Sequence, residues 1–222
     1  MMPGLAWKPA RPPLRVSLEG NTVVLEPLDP ERHATALYSS SIGAPELWTH
    51  LAYGPFANQA VLTSWLEDRA ATQDPLFYAI VDRIAGGARG MASYLRIEPQ
   101  HGVIEIGHIW FAPALQRTRQ ATEAIFLLAR HAFDDLGYRR LEWKCDSLNM
   151  PSRRAAERFG FVFEGIFRQH MVVKDRNRDT AWYSITDAEW PSRRAAFEAW
   201  LSAENFDPDG RQLRSLVEIR GS

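Results

Sequence analysis

Val103-Ile-Glu-Ile-Gly107-His108-Ile-Trp-Phe111, then Ala112-Pro-Ala-Leu-Gln116-Arg117-Thr118-Arg119-Gln120-Ala121-Thr122-Glu-Ala124, and later Arg140-Leu-Glu-Trp-Lys-Cys145-Asp146, decide how this chain folds. The first nine residues read as a strand. Ala121, Ala124, Ile125, Leu128 and Ala132 then recur at i, i+3, i+4 and i+7, which predicts an amphipathic helix over about Thr118 to Asp135, closed near Gly137. Alternation returns at Arg140, with Leu141, Trp143 and Cys145 on one face. A strand, a crossover helix and a strand of this length form a right-handed unit, so the strands around 108 and 143 are expected to be parallel.

Upstream, Asn21 to Pro27 reads as a strand, Asp29-Pro30 caps a helix through about Tyr38, and the Gly54-Pro55 turn precedes a helix over Asn58 to Ala71. Phe77 to Val81 and Gly90 to Ile97 join Val103 to Phe111 in an antiparallel meander. Downstream, a helix over Asn149 to Phe159 holds Pro151 in its first turn and has Gly160 just beyond its end. Phe161 to Gly165 forms a strand, and His170 to Lys174 faces Thr180 to Thr186 across Asp175-Arg-Asn-Arg178. Pro191 opens a last helix to about Ala203, followed by a loose tail. The class is α+β, a mixed and mostly antiparallel sheet with one parallel pair and flanking helices. Residues 1–19 are expected to form an extended arm, 20–191 the domain, and 192–222 a helix and tail.

With 222 residues, 45% of them hydrophobic, one well-buried core is the expectation. Lys and Arg total 26 against 27 Asp and Glu, so the whole-chain field draws neither nucleic acid nor anionic membrane, and an anionic ligand has to be held locally. The single Cys145 excludes a disulfide framework and fits a reducing bacterial cytoplasm. Met1 to Arg15 carries Pro3, Pro9, Pro12 and Pro13 and lacks an apolar run, which argues against a signal or anchor. The histidines share no metal-ligand spacing, so no metal is expected. Eight tryptophans exceed ordinary usage, and Trp7, Trp65 and Trp200 stay open between core and interface.

Gln116 to Thr122 is a loop turning into a helix start, whose free amides and positive dipole end can cradle phosphate oxygens, with Arg117 and Arg119 adding charge. Two arginines there can equally be a solvated face. Asn149 and Ser152 open a second helix after the parallel partner strand.

These motifs occur jointly with Phe159-Gly160-Phe161, Glu164-Gly165-Ile166-Phe167-Arg168, Arg178-Asp179-Thr180, Tyr183 and Glu189-Trp190-Pro191. Over residues 20–191 the chain resembles the GNAT N-acyltransferases, and within them the ribosomal-protein N-acetyltransferase (RimJ/RimL) group. The resemblance implies transfer of an acyl group from acetyl-CoA, or another acyl-CoA, to a primary amine by direct attack in a ternary complex. It implies that the parallel strands splay and that the cofactor's pantetheine arm pairs with Ile109, Trp110 and Phe111. The pyrophosphate would lie on Gln116, Arg117, Thr118, Arg119, Gln120, Ala121 and Thr122, and Asn149 would bond the arm. Two positions depart from the family pattern. Arg119 stands where a glycine is usual, at a cost of roughly 1 kcal/mol if its φ is positive. Ala156 stands where many relatives carry an acidic tyrosine, which leaves Ser152, otherwise only a first-turn cap, to stabilise the leaving sulfur.

An amine must lose a proton to attack, so a carboxylate or imidazole near the strand centre is wanted. Glu105 is the first candidate, against a solvent-facing carboxylate; His108 is the second, against a packed core histidine. Their opposite parity holds unless a bulge intervenes. Trp48, Tyr53, Phe56, Trp182 and Tyr183 are expected to line the acceptor mouth, although aromatics there could instead form a homodimer interface. The acceptor would be a protein N-terminus or a small amine. A different class stays in view, an acyl-CoA-binding regulatory protein with weak or no transferase activity.

Overall fold

A computed structural model describes residues 7–221; the first six residues of the expected arm, and Ser222, lie outside the described residues. One eight-stranded sheet runs β1(Leu18–Glu19), β2(Val23–Pro27), β3(Leu76–Asp82), β4(Ala88–Glu98), β5(Val103–Phe111), β6(Arg140–Asp146), β8(Arg176–Thr186), β7(Val162–Val173) in spatial order. Every neighbouring pair is antiparallel except β5 and β6, which run parallel.

Helices cover both faces. α1(Pro30–Ser41) and α2(Gln59–Ala70) bury Leu37, Leu62 and Leu66 with Phe77, Met91, Trp48 and Trp110. α3(Arg119–Arg130), α4(Met150–Phe159) and α5(Trp190–Leu201) bury the opposite face, built on Tyr78, Tyr94, Ile104, Ile106, Leu141, Trp143 and Tyr183. α1 to α4 begin as their sequence dictates: Asp29, Asn58, Thr118 and Asn149 cap with their side chains, and Pro30 and Pro151 occupy first-turn positions. Gly160 closes α4 at φ 93°, where a Cβ would meet Arg193 at 2.8 Å.

Four expectations need correcting. The helix after β5 leaves α geometry at Arg130 and finishes as a wide π turn over His131–Asp135. β7 is one strand of 12 residues, bulged between Phe163 and Gly165 and between Phe167 and Met171, instead of two short strands. The β7–β8 turn is Lys174-Asp175, both left-handed at φ 49° and 59°, a two-residue turn whose twist matches the strands. The tail is not loose. Asn205 bonds Trp200 O, Arg214 O and Arg214 N, a Ser215/Glu218 capping box opens α6(Leu216–Arg220), and Arg220 donates to the carbonyls of Glu157 and Arg158 at the end of α4.

The described part of the arm crosses one end of the sheet, tied by Ala10 N–H to Pro99 O and Arg11 N–H to Leu136 O, with Trp7 against Gly102. Trp200 is core, bonded through Nε1 to Gln212.

Candidate active site

The parallel pairing of β5 and β6 starts at Val103 with Arg140 and ends at Ile106 with Trp143, although β5 continues to Phe111 and β6 to Asp146. The strands part because each keeps a different partner. β6 stays registered with β8 up to Asp146 opposite Thr180. β5 stays on β4 but takes in an extra residue: Gly107 faces Ser93 and Trp110 faces Met91, with His108 at φ 50°. The bulge reverses the alternation. Ile104 and Ile106 belong to the α3 face, whereas Trp110 belongs to the α1–α2 face.

The fork opens into a cleft of about 1250 Å³ on the α3–α4 side. Its walls are Ile109, Trp110 and Phe111 of β5, residues 116–122, Trp143, and Asn149, Ser152, Arg154 and Arg158 at the start and along one side of α4. Trp200, Phe206 and Gln212 close it from the tail, which the sequence reading missed. A smaller cavity of about 190 Å³ behind Trp48, lined by Tyr38, Pro45 and Phe56, is separate from this cleft.

The helix start follows from local sequence. Thr118 accepts from Ala121 N–H at 3.1 Å, and Arg119 and Gln120 are first-turn residues with no carbonyl one turn back inside the helix. Arg119 is α-helical, so the feared positive φ is not there. It falls on Arg117, at φ 60° and exposed. The Arg119 side chain turns to the tail, donating to Leu201 O and lying 4.7 Å over the Phe206 ring. Arg154 and Arg158 instead supply cations to the cleft, and Arg158 donates to Thr122 Oγ1 at 3.1 Å. Arg153 is directed away, to the Tyr183 hydroxyl at 2.9 Å.

At α4, Asn149 Oδ1 accepts from Ser152 N–H at 3.1 Å, which leaves the amide NH₂ of Asn149 free to donate. Ser152 Oγ accepts from Trp143 Nε1–H at 3.0 Å. An indole can only donate, so the serine proton is directed elsewhere. These groups fit a coenzyme A thioester. An unpaired strand edge can receive an amide-containing arm, a helix start with nearby arginines can receive phosphates, and the Asn149 amide is a free donor beside them, while the Ser152 hydroxyl also lies within hydrogen-bond reach of the Cys145 thiol.

The opposite side of the fork differs. Lys144, Glu105 and Glu142 are buried together, with Lys144 Nζ 2.8 Å from Glu105 and 2.7 Å from Glu142. Arg96 lies 3.8 Å from Glu105, and Arg140 bridges Glu142 at 2.8 Å to Glu164 at 2.6 Å. Burial raises the Glu105 carboxyl above its usual range while Lys144 opposes the rise. Its 2.8 Å contact with Lys144 makes Glu105 a clamp between β5 and β6 where they part.

His108 reaches the same face through the bulge, stacked on Tyr53 at 5.7 Å and tilted against Phe77 at 5.0 Å. Burial first, then the charges of Arg69 and Arg178, lower its pKa to about 4. Tyr53 and Phe56 join Trp48 and Trp65 in one aromatic cluster, with Tyr53 and Trp65 4.3 Å apart. A Cβ on Gly54, at φ 65°, would meet the Trp48 ring at 2.6 Å. Lys174 at the hairpin tip donates to Trp48 O, Tyr53 O and Gly54 O, seating the hairpin on this loop. Trp182 lies here, 3.7 Å from Lys144 Nζ and 4.5 Å from Phe167. Tyr183 does not. It pairs opposite Trp143, is fully buried under α4, and so is removed from the acceptor mouth by strand alternation.

Arg69 and Lys144 escaped the sequence reading, which leaves Trp65 open between core and interface and gives Lys174 and Arg178 no individual role. The spacing of Trp65 and Arg69, four apart on α2 with the guanidinium 5.5 Å over the indole, was the one local signal. Among the described residues no group of three His, Cys, Asp or Glu could hold a metal, and no helix is long and apolar enough to cross a membrane.

Residues 22–162 match the family described as acetyltransferase (GNAT) domain. A crystal structure of a GCN5-related N-acetyltransferase from Brucella melitensis is 49% identical, covers 98% of this chain and 99% of its own, and superposes with a TM-score of 0.96. A Bacillus subtilis protein carrying the provisional name ribosomal N-acetyltransferase YdaF is 26% identical over 175 residues, 77% of this chain and 93% of that one. The ribosomal-protein-serine acetyltransferase of Escherichia coli is 32% identical over 101 residues, 45% of this chain and 56% of that one.

Proposed function

The chain belongs to the GNAT acetyltransferase family, whose donor is acetyl-CoA, and from that premise we propose that it acetylates a primary amine by direct attack in a ternary complex. The observation that carries this reading is the fork: one opening between β5 and β6 has a phosphate-compatible helix start on one side and a neutral imidazole on the other.

Bound acetyl-CoA supplies an activated thioester carbonyl; the protein supplies position and protons. The β5 edge at Ile109 to Phe111, the Asn149 amide, the α3 start, Arg154 and Arg158 hold the donor. The amine enters past Tyr53, Trp65 and Trp182. As its nitrogen bonds to the carbonyl carbon, the amine proton passes to His108 Nδ1 or Nε2, uncharged at neutral pH, and the carbon–sulfur bond breaks. Ser152, its Oγ already accepting from Trp143, donates to the sulfur as charge develops there. His108 thus takes the base role ahead of Glu105, which Lys144 holds in place.

Thiol release from acetyl-CoA, measured with a panel of small amines and N-terminal peptides, tests the reading. Acceptor-dependent release is expected, and Ser152→Ala should lower kcat roughly 10- to 100-fold with the acetyl-CoA dissociation constant unchanged. Thermal stabilisation by CoA with no acceptor-dependent release would identify a binding protein instead.

A further inference from the structure

Four donors on the acceptor side of the fork have no hydrogen-bond partner within the described protein: Tyr53 Oη, Arg69 Nε, Arg178 Nε and Trp182 Nε1. Guanidinium and indole nitrogens only donate, so each needs an acceptor atom from outside. The four come from three separate parts of the chain, which rules out one strained turn as their common cause. Arg69 lies over Trp65, Trp65 packs on Tyr53 and Tyr53 stacks on His108, a continuous path from the guanidinium to the imidazole. Arg178 shares a face of β8 with Thr180 and Trp182 by alternation.

Charge points the same way. Among the described residues neither Arg69 nor Arg178 has a carboxylate within ion-pair distance, and the carboxylates of β5, β6, β7 and β8 are committed elsewhere. Glu105 and Glu142 pair with Lys144, Glu164 with Arg140, and Asp146 with His50. Asp179 accepts from Gln169 N–H and Asn177. The two guanidinium charges also act together on one group, since both lower the pKa of His108.

We propose that the acceptor amine carries an anionic group, a carboxylate or a phosphate, which Arg69 and Arg178 bind with help from Tyr53 Oη and Trp182 Nε1, so that the amine stands at His108. This rests on the acetyl-transfer reading above and names its substrate class. An anion offers several acceptor oxygens in a plane or tetrahedron that arginine meets in two-point fashion. It also offsets the charge that suppresses His108 as a base, so the anionic end and the amine end of one molecule act in concert. A neutral amine leaves the donors unpaired, and a second cation is repelled.

The test is a set of matched acceptors: phosphoethanolamine against ethanolamine, β-alanine against β-alaninamide, and peptides with Asp against Asn after the N-terminal residue. In the wild type at least one anionic member is expected to exceed its neutral twin at least 10-fold in kcat/KM, and the phosphate and carboxylate arms tell the two anions apart. Arg69→Gln or Arg178→Gln should reduce that preference to about 2-fold or less, chiefly through KM, with the acetyl-CoA dissociation constant held within 2-fold. Equal or better turnover of the neutral twins, or a preference that survives both substitutions, overturns the proposal. If no amine releases thiol, the acetyl-transfer reading fails on its own, and thermal shift of the CoA-saturated protein decides the anion site. Stabilisation by phosphoethanolamine or β-alanine, absent in Arg178→Gln, supports it; no stabilisation by either overturns it.

Discussion

The two sides of the fork are built on different plans. On the cofactor side, two continuous segments, 109–122 and 149–158, supply most of the wall, and their recognition groups are strand edge, helix start and cap. On the acceptor side, Tyr53, Arg69, His108, Lys144, Arg178 and Trp182 come from five places in the chain, and recognition rests on side chains. A site made of backbone groups tolerates exchange of its side chains and suits a donor that never changes. A site made of converging side chains can be altered one residue at a time, which suits an acceptor that differs between relatives.

Lys144 joins the two sides, and removing it is the harshest way to break the comparison. Its ammonium lies between Glu105 and Glu142, all three with side chains 6–7% exposed. Lys144→Met removes the nearest cation from two buried carboxylates and leaves them Arg96 at 3.8 and 3.9 Å and, for Glu142, Arg140 at 2.8 Å, so the loss should reach up to about 3–5 kcal/mol at neutral pH. Protonation removes that penalty, so the loss should shrink as pH falls. Urea unfolding at pH 7 and pH 5 measures it, with Lys144→Met/Glu105→Gln expected to regain part of the stability. A cost below 1 kcal/mol at pH 7 would mean that the two sides stand without a common clamp.

His108 sharpens the contrast next. His108→Gln should lower kcat about 10²- to 10⁴-fold and leave acetyl-CoA binding unchanged. Because burial and the charges of Arg69 and Arg178 hold its pKa at about 4, the acid limb of kcat/KM should fall near that value instead of near the ordinary histidine value of about 6.5. Arg178→Gln should move the limb upward. The same depression has a stability consequence. Between about pH 6.5 and pH 4 the unfolded chain binds a proton that the folded chain does not, so stability falls as pH falls through that window, less steeply in His108→Gln. A limb at 6.5 in the wild type would place His108 in solvent contact and return the base role to Glu105.

How much could be read in the sequence follows the same division. The parallel unit, the helix caps and the cleft-lining residues were legible because period, cap and motif are local properties. Tyr183 was misplaced although alternation with Trp182 allows only one of the two to face the acceptor side. The bulge at His108 was not legible, since it arises from β5 keeping β4 while β6 keeps β8, a competition between strands distant in sequence. The tail looked loose because its order depends on Asn205 bonding across nine residues and on Arg220 reaching the end of α4. Arg178 is one of several arginines in the hairpin, and only the folded arrangement separates it from those in solvent.

Arg119 gives the smallest effect and the finest distinction. By sequence it is a cation at the phosphate position; in the structure its guanidinium belongs to the tail, bonded to Leu201 O and covering Phe206. Arg119→Gly keeps the first-turn amide that a phosphate would use and removes the tie that holds the Phe206 wall. Acetyl-CoA affinity should therefore fall only about 3- to 10-fold, roughly 1 kcal/mol, and the loss should be the same at low and high salt because no screened charge contact is removed. Arg154→Gln, which takes a cation from the cleft itself, should instead lose more at low salt than at high. If Arg119→Gly flattens the salt dependence as Arg154→Gln does, the guanidinium leaves Leu201 for the phosphates when the cofactor binds. The cofactor side would then share the acceptor side's dependence on movable side chains, and the contrast between them would be one of degree.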